Sequence, residues 1–209
     1  MAPYIIIALI AYLIGSINFS VIFSKKLAGF DVREKGSGNA GTTNMLRTVG
    51  KKAAAITLIC DILKGIVAII VAIIIGNIVG EQVDKALLVQ IAAICVVLGH
   101  TFPIFFGFKG GKGIATSLGI LLMINWQIGL ICLVFALVLM AITRMVSVGS
   151  LAAAILYPVL TLFVGAQFYI VQGNYFVFSI IMAAIVLFNH RSNIQRLFHG
   201  EENKISFEK

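Results

Sequence analysis

The chain has 209 residues, of which 60% are hydrophobic and 11% are charged, with a net charge of +8 and a mean hydropathy of +1.07. A soluble domain carries about 25% charged residues, so this composition excludes a soluble protein and predicts a polytopic membrane protein of one domain, 1–209. The cations lie in short loops between apolar segments, which excludes a nucleic-acid-binding face and is typical of membrane topology and attraction to anionic headgroups.

Apolar segments long enough to be helices follow one another along the chain. The stretch 114–143 is either one helix of about 45 Å, too long without strong tilt, or two short helices that turn near Asn125. If the stretch 114–143 crosses the membrane twice, every Lys and Arg except Lys64 and Lys85 lies on one side of the membrane. The positive-inside rule assigns that side to the cytoplasm. We therefore predict an all-α bundle of seven transmembrane helices, with the N-terminus outside and the C-terminus cytoplasmic. The predicted spans are about 4–24, 53–75, 86–106, 113–125, 127–143, 145–168 and 173–189.

The first polar loop, about 25–52, contains the segment GSGNAGTTNMLR at 36–47. Its glycine, hydroxyl and amide residues precede a predicted helix start, where unpaired N–H groups favour an anion. Arg47 follows about one turn later and can donate two hydrogen bonds to a phosphate. An ordinary turn with an N-cap has the same composition, so this loop alone leaves both interpretations open. The candidate substrate-binding residues here are Ser37, Gly38, Asn39, Thr43 and Arg47.

A second loop, Gly107–Gly113, reads GFKGGKG and is called the glycine loop below. Closely spaced glycines let backbone N–H groups converge on one point, and lysines add positive charge, which favours a phosphate site over a simple glycine hinge. The loop is not a Walker A motif, because Phe106 stands where that motif has glycine and Gly113 where it has Ser or Thr. An ATPase is therefore excluded. The candidate binding residues are Gly110, Gly111, Lys112 and Gly113.

Other polar residues stand inside or beside the predicted spans. Asp61 and Lys64 are three residues apart near mid-membrane, so we expect them to pair and to face the bundle interior. Ser147 and Ser150 either extend the anion site or cap the next helix. The three cysteines lie in apolar stretches without a pairing motif, and the sequence has no cluster with metal-ligand spacing.

The C-terminal tail begins with the segment NHRSNIQRLF at 189–198. On a helix, His190 and Asn193 share one face. His190 could act as an acid, a base or a hydrogen-bond donor, or the segment could be an interfacial cap. We expect Glu201 and Glu202 to be solvated.

Together these motifs resemble the PlsY family, the bacterial acyl-phosphate:glycerol-3-phosphate acyltransferases, over essentially the whole chain. The likeness comprises GSGN with Arg47, the glycine loop, His190 with Asn193, and DILKG at 61–65. Asn18 departs from the family pattern, which often has proline there. The resemblance implies transfer of an acyl group from a long-chain acyl-phosphate to the 1-hydroxyl of glycerol 3-phosphate. Lysophosphatidic acid and inorganic phosphate would be the products of this first acylation of phospholipid synthesis.

The resemblance also implies residue roles. Ser37, Arg47 and Lys112 would bind phosphate and stabilise charge, and the backbone of Gly110–Gly113 would bind phosphate. His190 and Asn193 would orient the glycerol hydroxyls or assist transfer, with either His190 or a substrate phosphate oxygen accepting the proton. No cofactor or metal is implied, and the site would face the cytoplasm from the bacterial inner membrane.

A transporter of phosphorylated metabolites is the alternative function. It would share a basic cytoplasmic site, but it requires polar groups across the membrane and often has inverted repeats. Apart from Asp61 and Lys64 the polar clusters lie on one predicted side, and no repeat is evident. The sequence therefore favours the enzyme, and it is silent on partner proteins.

Overall fold

The computed structural model describes residues 1–205, which form ten α-helices joined by short loops and 3₁₀ turns. The chain divides into two compact units, Met1–Ile124 and a second that begins at Asn125. The helices of the first unit are α1 (Ala2–Gly15), α2 (Phe19–Ala28), α3 (Thr42–Thr48), α4 (Lys51–Val79), α5 (Lys85–Thr101) and α6 (Ile114–Ile124). Those of the second are α7 (Trp126–Thr143), α8 (Val146–Phe163), α9 (Phe176–Asn189) and α10 (Arg191–Phe198).

Every predicted span contains helix, which confirms the all-α membrane class. Five segments of the described chain are long and apolar enough to cross a membrane, and α9 with α10, bent by 63°, would be a sixth. The short α6 has 11 residues, or about 16 Å of helix, which is less than the hydrocarbon thickness. The candidate spans within residues 1–205 therefore number five or six, where the sequence predicted seven. The five are Ala2–Ala28, Lys51–Gln82, Lys85–Phe106, Trp126–Thr143 and Val146–Phe163.

The first predicted span, 4–24, is interrupted and contains two helices. The Asn18 Oδ1 accepts hydrogen bonds from the Val21 amide (3.2 Å) and the Ser20 hydroxyl (2.7 Å), which caps α2. A short amide side chain competes with the helical backbone in this way and favours a new helix start. The Asn18 side chain therefore starts a new helix within this span.

Glycines bring the helices of the first unit into backbone contact. Gly15 and Gly99 lie at the contact between α1 and α5, and Gly65 and Gly119 lie between α4 and α6. A methyl group at any of them would overlap a backbone carbonyl of the facing helix. Small residues allow such close packing in membranes. These contacts fix the end of α5 and the start of α6, the two points between which the glycine loop runs.

In the second unit, α7 and α8 are joined by a two-residue turn. Arg144 adopts a left-handed conformation (φ 58°) and ends α7. The Ile205 amide donates to the Arg144 carbonyl oxygen over 2.7 Å. This bond returns the C-terminal segment to the turn between α7 and α8, close in sequence to Ser147.

Candidate functional site

The first loop is a formed turn closed by a buried side chain. The Asn44 Oδ1 accepts a hydrogen bond from the Ser37 amide (2.9 Å), and its Nδ2 donates to the carbonyls of Val32 (2.8 Å) and Lys35 (3.0 Å). Gly36 has φ 61°, and a Cβ there would overlap the Asn44 side chain. Because Asn44 on α3 holds the backbone at three points, the segment around Ser37 has one defined conformation.

This turn presents the predicted residues of the first loop at a surface. Ser37, Gly38 and Arg47 are exposed, and Asn39 and Thr43 are half-buried. Arg47 occupies the last turn of α3. A hydroxyl, an amide and a guanidinium therefore lie at the surface on one short stretch of chain.

The glycine loop lies directly against the first loop. Gly111 is buried, and a Cβ on it would overlap both the His100 ring and the Ala40 carbonyl oxygen. Ala40 belongs to the first loop, so the backbones of the two loops are in contact. The Gly110 amide donates to the Thr101 carbonyl (3.0 Å) and the Gly111 amide to the His100 carbonyl (3.1 Å).

These two hydrogen bonds change the expected role of the glycines. The amides of Gly110 and Gly111 were expected to face a phosphate, but both donate to carbonyls at the end of α5. Because they have no side chain, the two glycines allow the loop backbone to lie directly against the end of α5 and the first loop. The remaining residues, Lys112 and Gly113 (φ 83°), immediately precede Ile114, where α6 begins. A helix N-terminus has unpaired N–H groups that favour an anion, so this end of the loop suits a phosphate.

A cluster of ionisable side chains lies beneath the glycine loop. The Lys64 ammonium is 2.9 Å from the Asp61 carboxylate, and both residues are buried, at 1% and 4% exposure for Asp61 and Lys64. The predicted pair is therefore confirmed. Lys64 also donates to the carbonyls of Gly15 (3.2 Å) and Ile17 (3.0 Å), at the break between α1 and α2. The His100 Nδ1 lies 3.5 Å from the Asp61 carboxylate.

In the second unit, His190 lies at the bend between α9 and α10 and is buried. Its Nδ1 is 2.8 Å from the Val186 carbonyl oxygen. Because a carbonyl only accepts, we assign the proton to Nδ1, which makes Nε2 the acceptor nitrogen of the neutral ring. This tautomer can accept a hydrogen bond, or a proton, from a hydroxyl.

Asn193 is held by a residue that the sequence analysis placed in solvent. The Asn193 Nδ2 donates to one carboxylate oxygen of Glu202 (2.8 Å), and the Arg196 Nε donates to the other (3.0 Å). Glu202 is only 8% exposed, so its prediction was wrong, whereas Glu201 is exposed as expected. The carboxylate is buried because these two donors compensate its lost hydration.

The two serines of α8 do not cap that helix. Met145 occupies the N-cap position without a side-chain hydrogen bond, and the Ser150 hydroxyl donates to the Val146 carbonyl within α8 (3.0 Å). The buried Ser147 hydroxyl has no hydrogen-bond partner among the described residues. Of the two alternatives, capping is therefore excluded, and a ligand-facing role remains open.

Comparison with known proteins identifies the family. A model of the family described as glycerol-3-phosphate acyltransferase matches residues 5–200. The glycerol-3-phosphate acyltransferase of Clostridioides difficile (strain 630) is 44% identical over 206 residues, which cover 99% of this chain and 97% of the relative. That of Thermoanaerobacter sp. (strain X514) is 40% identical over 205 residues, covering 96% and 95%. The chain belongs to the glycerol-3-phosphate acyltransferase family.

Two crystal structures agree with this assignment. Both are of PlsY (YgiH), an integral membrane glycerol 3-phosphate acyltransferase. The glycerol 3-phosphate form matches with a TM-score of 0.84 and 34% identity, covering 97% of this chain and 96% of that one. The lysophosphatidic acid form matches with a TM-score of 0.82 and 32% identity, covering 97% and 95%. The present chain is thus an integral membrane acyltransferase of the PlsY family.

Sequence reasoning missed three residues that shape the candidate site of this acyltransferase. Glu202 holds Asn193, His100 lies against Gly111, and Arg33 contacts the glycine loop. Only His100 had a local signal, since it stands at the end of a predicted span beside the loop.

Proposed function

We propose that this acyltransferase takes its acyl group from a long-chain acyl-phosphate and transfers it to the 1-hydroxyl of glycerol 3-phosphate. The hydroxyl oxygen attacks the carbonyl carbon, and the bond from that carbon to the phosphate oxygen breaks. Lysophosphatidic acid and inorganic phosphate leave, and the hydroxyl proton ends on the released phosphate, directly or through His190. The observation that carries the proposal is the contact between two basic loops at Ala40 and Gly111, since both substrates bear a phosphate.

Within the first unit, we assign Arg47 and Lys112 to phosphate binding and to stabilisation of charge on the leaving group. Positive groups fixed before the reaction stabilise developing charge without reorganisation. Ser37, Gly38, Asn39 and Thr43 would supply polar contacts from the first loop. The start of α6 after Gly113 would supply backbone N–H groups. Gly110 and Gly111 would support the site through the shape of the loop.

Within the second unit, the Nε2 of His190 would accept a hydrogen bond from a glycerol hydroxyl. Asn193 would orient a second hydroxyl through its carbonyl oxygen, since its amide nitrogen is bound to Glu202. Ser147 offers a buried hydroxyl for a ligand contact. Ser150 would have a weaker role, because its hydrogen is donated within α8.

We further propose that both units form one functional domain with seven crossings, in which α6 is a short crossing. The N-terminus would lie outside and the C-terminus and the site in the cytoplasm of a bacterium. The distribution of cations supports this orientation, because only Lys64 and Lys85 depart from one side. A C-terminal tag should then be protected in intact cells and accessible in inverted membrane vesicles. Access only in intact cells would contradict the orientation.

The first experiment measures product formation by the purified protein. Glycerol 3-phosphate is supplied with a long-chain acyl-phosphate or with the matching acyl-CoA, and lysophosphatidic acid and phosphate are both measured. We expect product from the acyl-phosphate alone. Product from acyl-CoA alone would overturn the donor assignment. Binding of glycerol 3-phosphate without product from either donor would favour the transporter alternative.

The same assay tests the site through matched cation variants. Arg47→Ala should lower kcat/KM on the order of 100-fold, because a charge-stabilising group is lost. Lys26→Ala removes an exposed cation in the last turn of α2 and should leave activity unchanged. Both variants should retain the thermal stability of the wild type. Equal activity of the two variants would exclude Arg47 from the site.

A further inference from the structure

We propose that Arg33 is a positioning residue that holds the glycine loop in its active conformation. The proposal rests on the proposed phosphate-binding role of that loop. The Arg33 guanidinium Nη1 donates to two carbonyl oxygens, those of Phe106 (2.6 Å) and Lys109 (3.0 Å). These two carbonyl groups lie on either side of the turn formed by Gly107 and Phe108. One side chain from the first loop therefore closes the first half of the glycine loop.

The backbone between those two carbonyls needs support from outside. Gly107 and Phe108 both adopt left-handed conformations, with φ of 66° and 58°. For a residue such as Phe108 this region costs about 1–2 kcal/mol. Such a conformation persists where the surrounding structure imposes it. The Phe108 amide donates to the carbonyl oxygen of Pro103, which precedes the loop (2.9 Å), and the two hydrogen bonds from Arg33 add further constraints.

Arg33 is itself held in place by Asp31. Its Nε donates to one carboxylate oxygen (2.9 Å) and its Nη2 to the other (2.8 Å). A bidentate pair fixes the plane of the guanidinium, so Nη1 is directed to the two carbonyls. These hydrogen bonds also lower the pKa of the buried Asp31 to about 2, so its carboxylate is charged at neutral pH. Asp31 and Arg33 are called the loop clasp below.

The clasp acts at a distance from the candidate phosphate contacts. Lys109 is followed by Gly110 and Gly111, which contact the end of α5 and the first loop, and then by Lys112. A shift at Lys109 is therefore transmitted along a few bonds to Lys112 and to the start of α6. Displacement of a binding group by about 1 Å can cost up to 100-fold in rate.

The test compares Arg33→Gln, Arg33→Lys and Asp31→Asn with Lys25→Gln. The Lys25 side chain is 59% exposed, and its ammonium lies 3.4 Å from the Asp31 carboxylate. The Lys25→Gln substitution therefore removes a charge next to the clasp and leaves the hydrogen bonds from Arg33 to the glycine loop in place. We expect Arg33→Gln to raise the KM for the phosphorylated substrates and to lower kcat/KM about 10- to 100-fold. Arg33→Lys should not restore activity, because an ammonium lacks the planar fork. Lys25→Gln should retain wild-type KM and kcat.

Two readouts separate positioning from general stability. Hydrogen exchange of the Gly110 and Gly111 amides should accelerate in Arg33→Gln, while that of α4 stays unchanged. Arg33→Gln and Asp31→Asn should be non-additive in a double-mutant cycle, because each releases the same contact. Unchanged KM, kcat and loop exchange in a folded Arg33→Gln protein would overturn the proposal. If that variant does not fold, Arg33→Lys and Asp31→Asn provide the same test.

The wild-type assay keeps the two proposals distinguishable. Absence of acyl-phosphate-dependent product in the wild type would contradict the proposed function itself. An active wild type in which Arg47→Ala loses activity and Arg33→Gln does not would contradict only the positioning role.

Discussion

Two carboxylate–cation pairs support the glycine loop from different environments. Asp61 and Lys64 are buried within the helices and reach the loop through His100, against which Gly111 lies. The loop clasp lies in the first loop beside the glycine loop, and the Arg33 side chain is 23% exposed. Removing one partner of an ion pair in a low dielectric is very costly, because it leaves an unpaired buried charge, whereas a partly solvated pair contributes less to stability. The buried pair should therefore determine folding, and the clasp should determine loop geometry.

The largest expected effect follows from Asp61→Asn. This variant leaves the Lys64 ammonium without its carboxylate inside the bundle, which costs about 3–5 kcal/mol. We expect low yield and a strongly reduced Tm in detergent, measured by thermal unfolding. The double variant Asp61→Asn/Lys64→Met should recover part of the loss by removing the charge, although the carbonyls of Gly15 and Ile17 lose their donor. If Asp61→Asn is as stable as the wild type, the buried pair does not determine folding, and the proposed difference between the two pairs is wrong.

The next effect tests the contact between the loops. Gly111→Ala introduces a methyl group where the His100 ring and the Ala40 carbonyl already lie, so the loops must separate. We expect kcat/KM to fall about 10- to 100-fold with a folded protein. Gly29→Ala is the control, since Gly29 has φ 73° and open space around it. It should cost about 1–2 kcal/mol of stability through backbone strain and leave kcat/KM unchanged. Normal activity of Gly111→Ala would show that the close contact is dispensable.

The smallest expected effect is the pH dependence of the stability that the Asp31 carboxylate of the loop clasp contributes. Hydrogen bonds from Arg33 lower the pKa of Asp31 from 3.8 to about 2. A lowered carboxyl pKa contributes stability above the unfolded-state value, and this contribution is lost as the pH falls through the folded-state value. The stability difference between wild type and Asp31→Asn should be about 1–2 kcal/mol above about pH 5 and should shrink between about pH 4 and 2. Tm measurements across this range check it, and a difference that disappears near pH 6 would contradict it.

The sequence predicted the helices and the buried pair because both depend on local patterns. Long apolar runs indicate helices in a membrane, and the three-residue spacing of Asp61 and Lys64 brings their side chains together. The break after Gly15 was missed, because the segment 4–24 is apolar on average, and only the side-chain cap of Asn18 shows that a new helix begins. Hydropathy averages over a window and does not detect one capping bond.

Parts of the candidate site depend on contacts that no local pattern encodes. Arg33 bonds to carbonyls 73 and 76 residues away, and Glu202 reaches Asn193 by a turn at Gly200 (φ 72°). The consecutive glycines were expected to direct their amides at a phosphate, whereas in the structure the amides of Gly110 and Gly111 donate to carbonyls at the end of α5. A Gly-Gly pair offers both exposed amides and space for a neighbouring backbone, and the sequence alone does not distinguish these uses.

The return of the C-terminal segment matters for anyone who shortens or extends this chain. Glu202 holds Asn193 and Arg196, and the Ile205 amide bonds to the turn between α7 and α8. A truncation after Gly200 would leave all ten described helices in place, yet it would release Asn193 from the Glu202 carboxylate. Reporter domains and affinity tags should accordingly be fused beyond Ile205, where they leave the contacts of Glu202 and Ile205 intact.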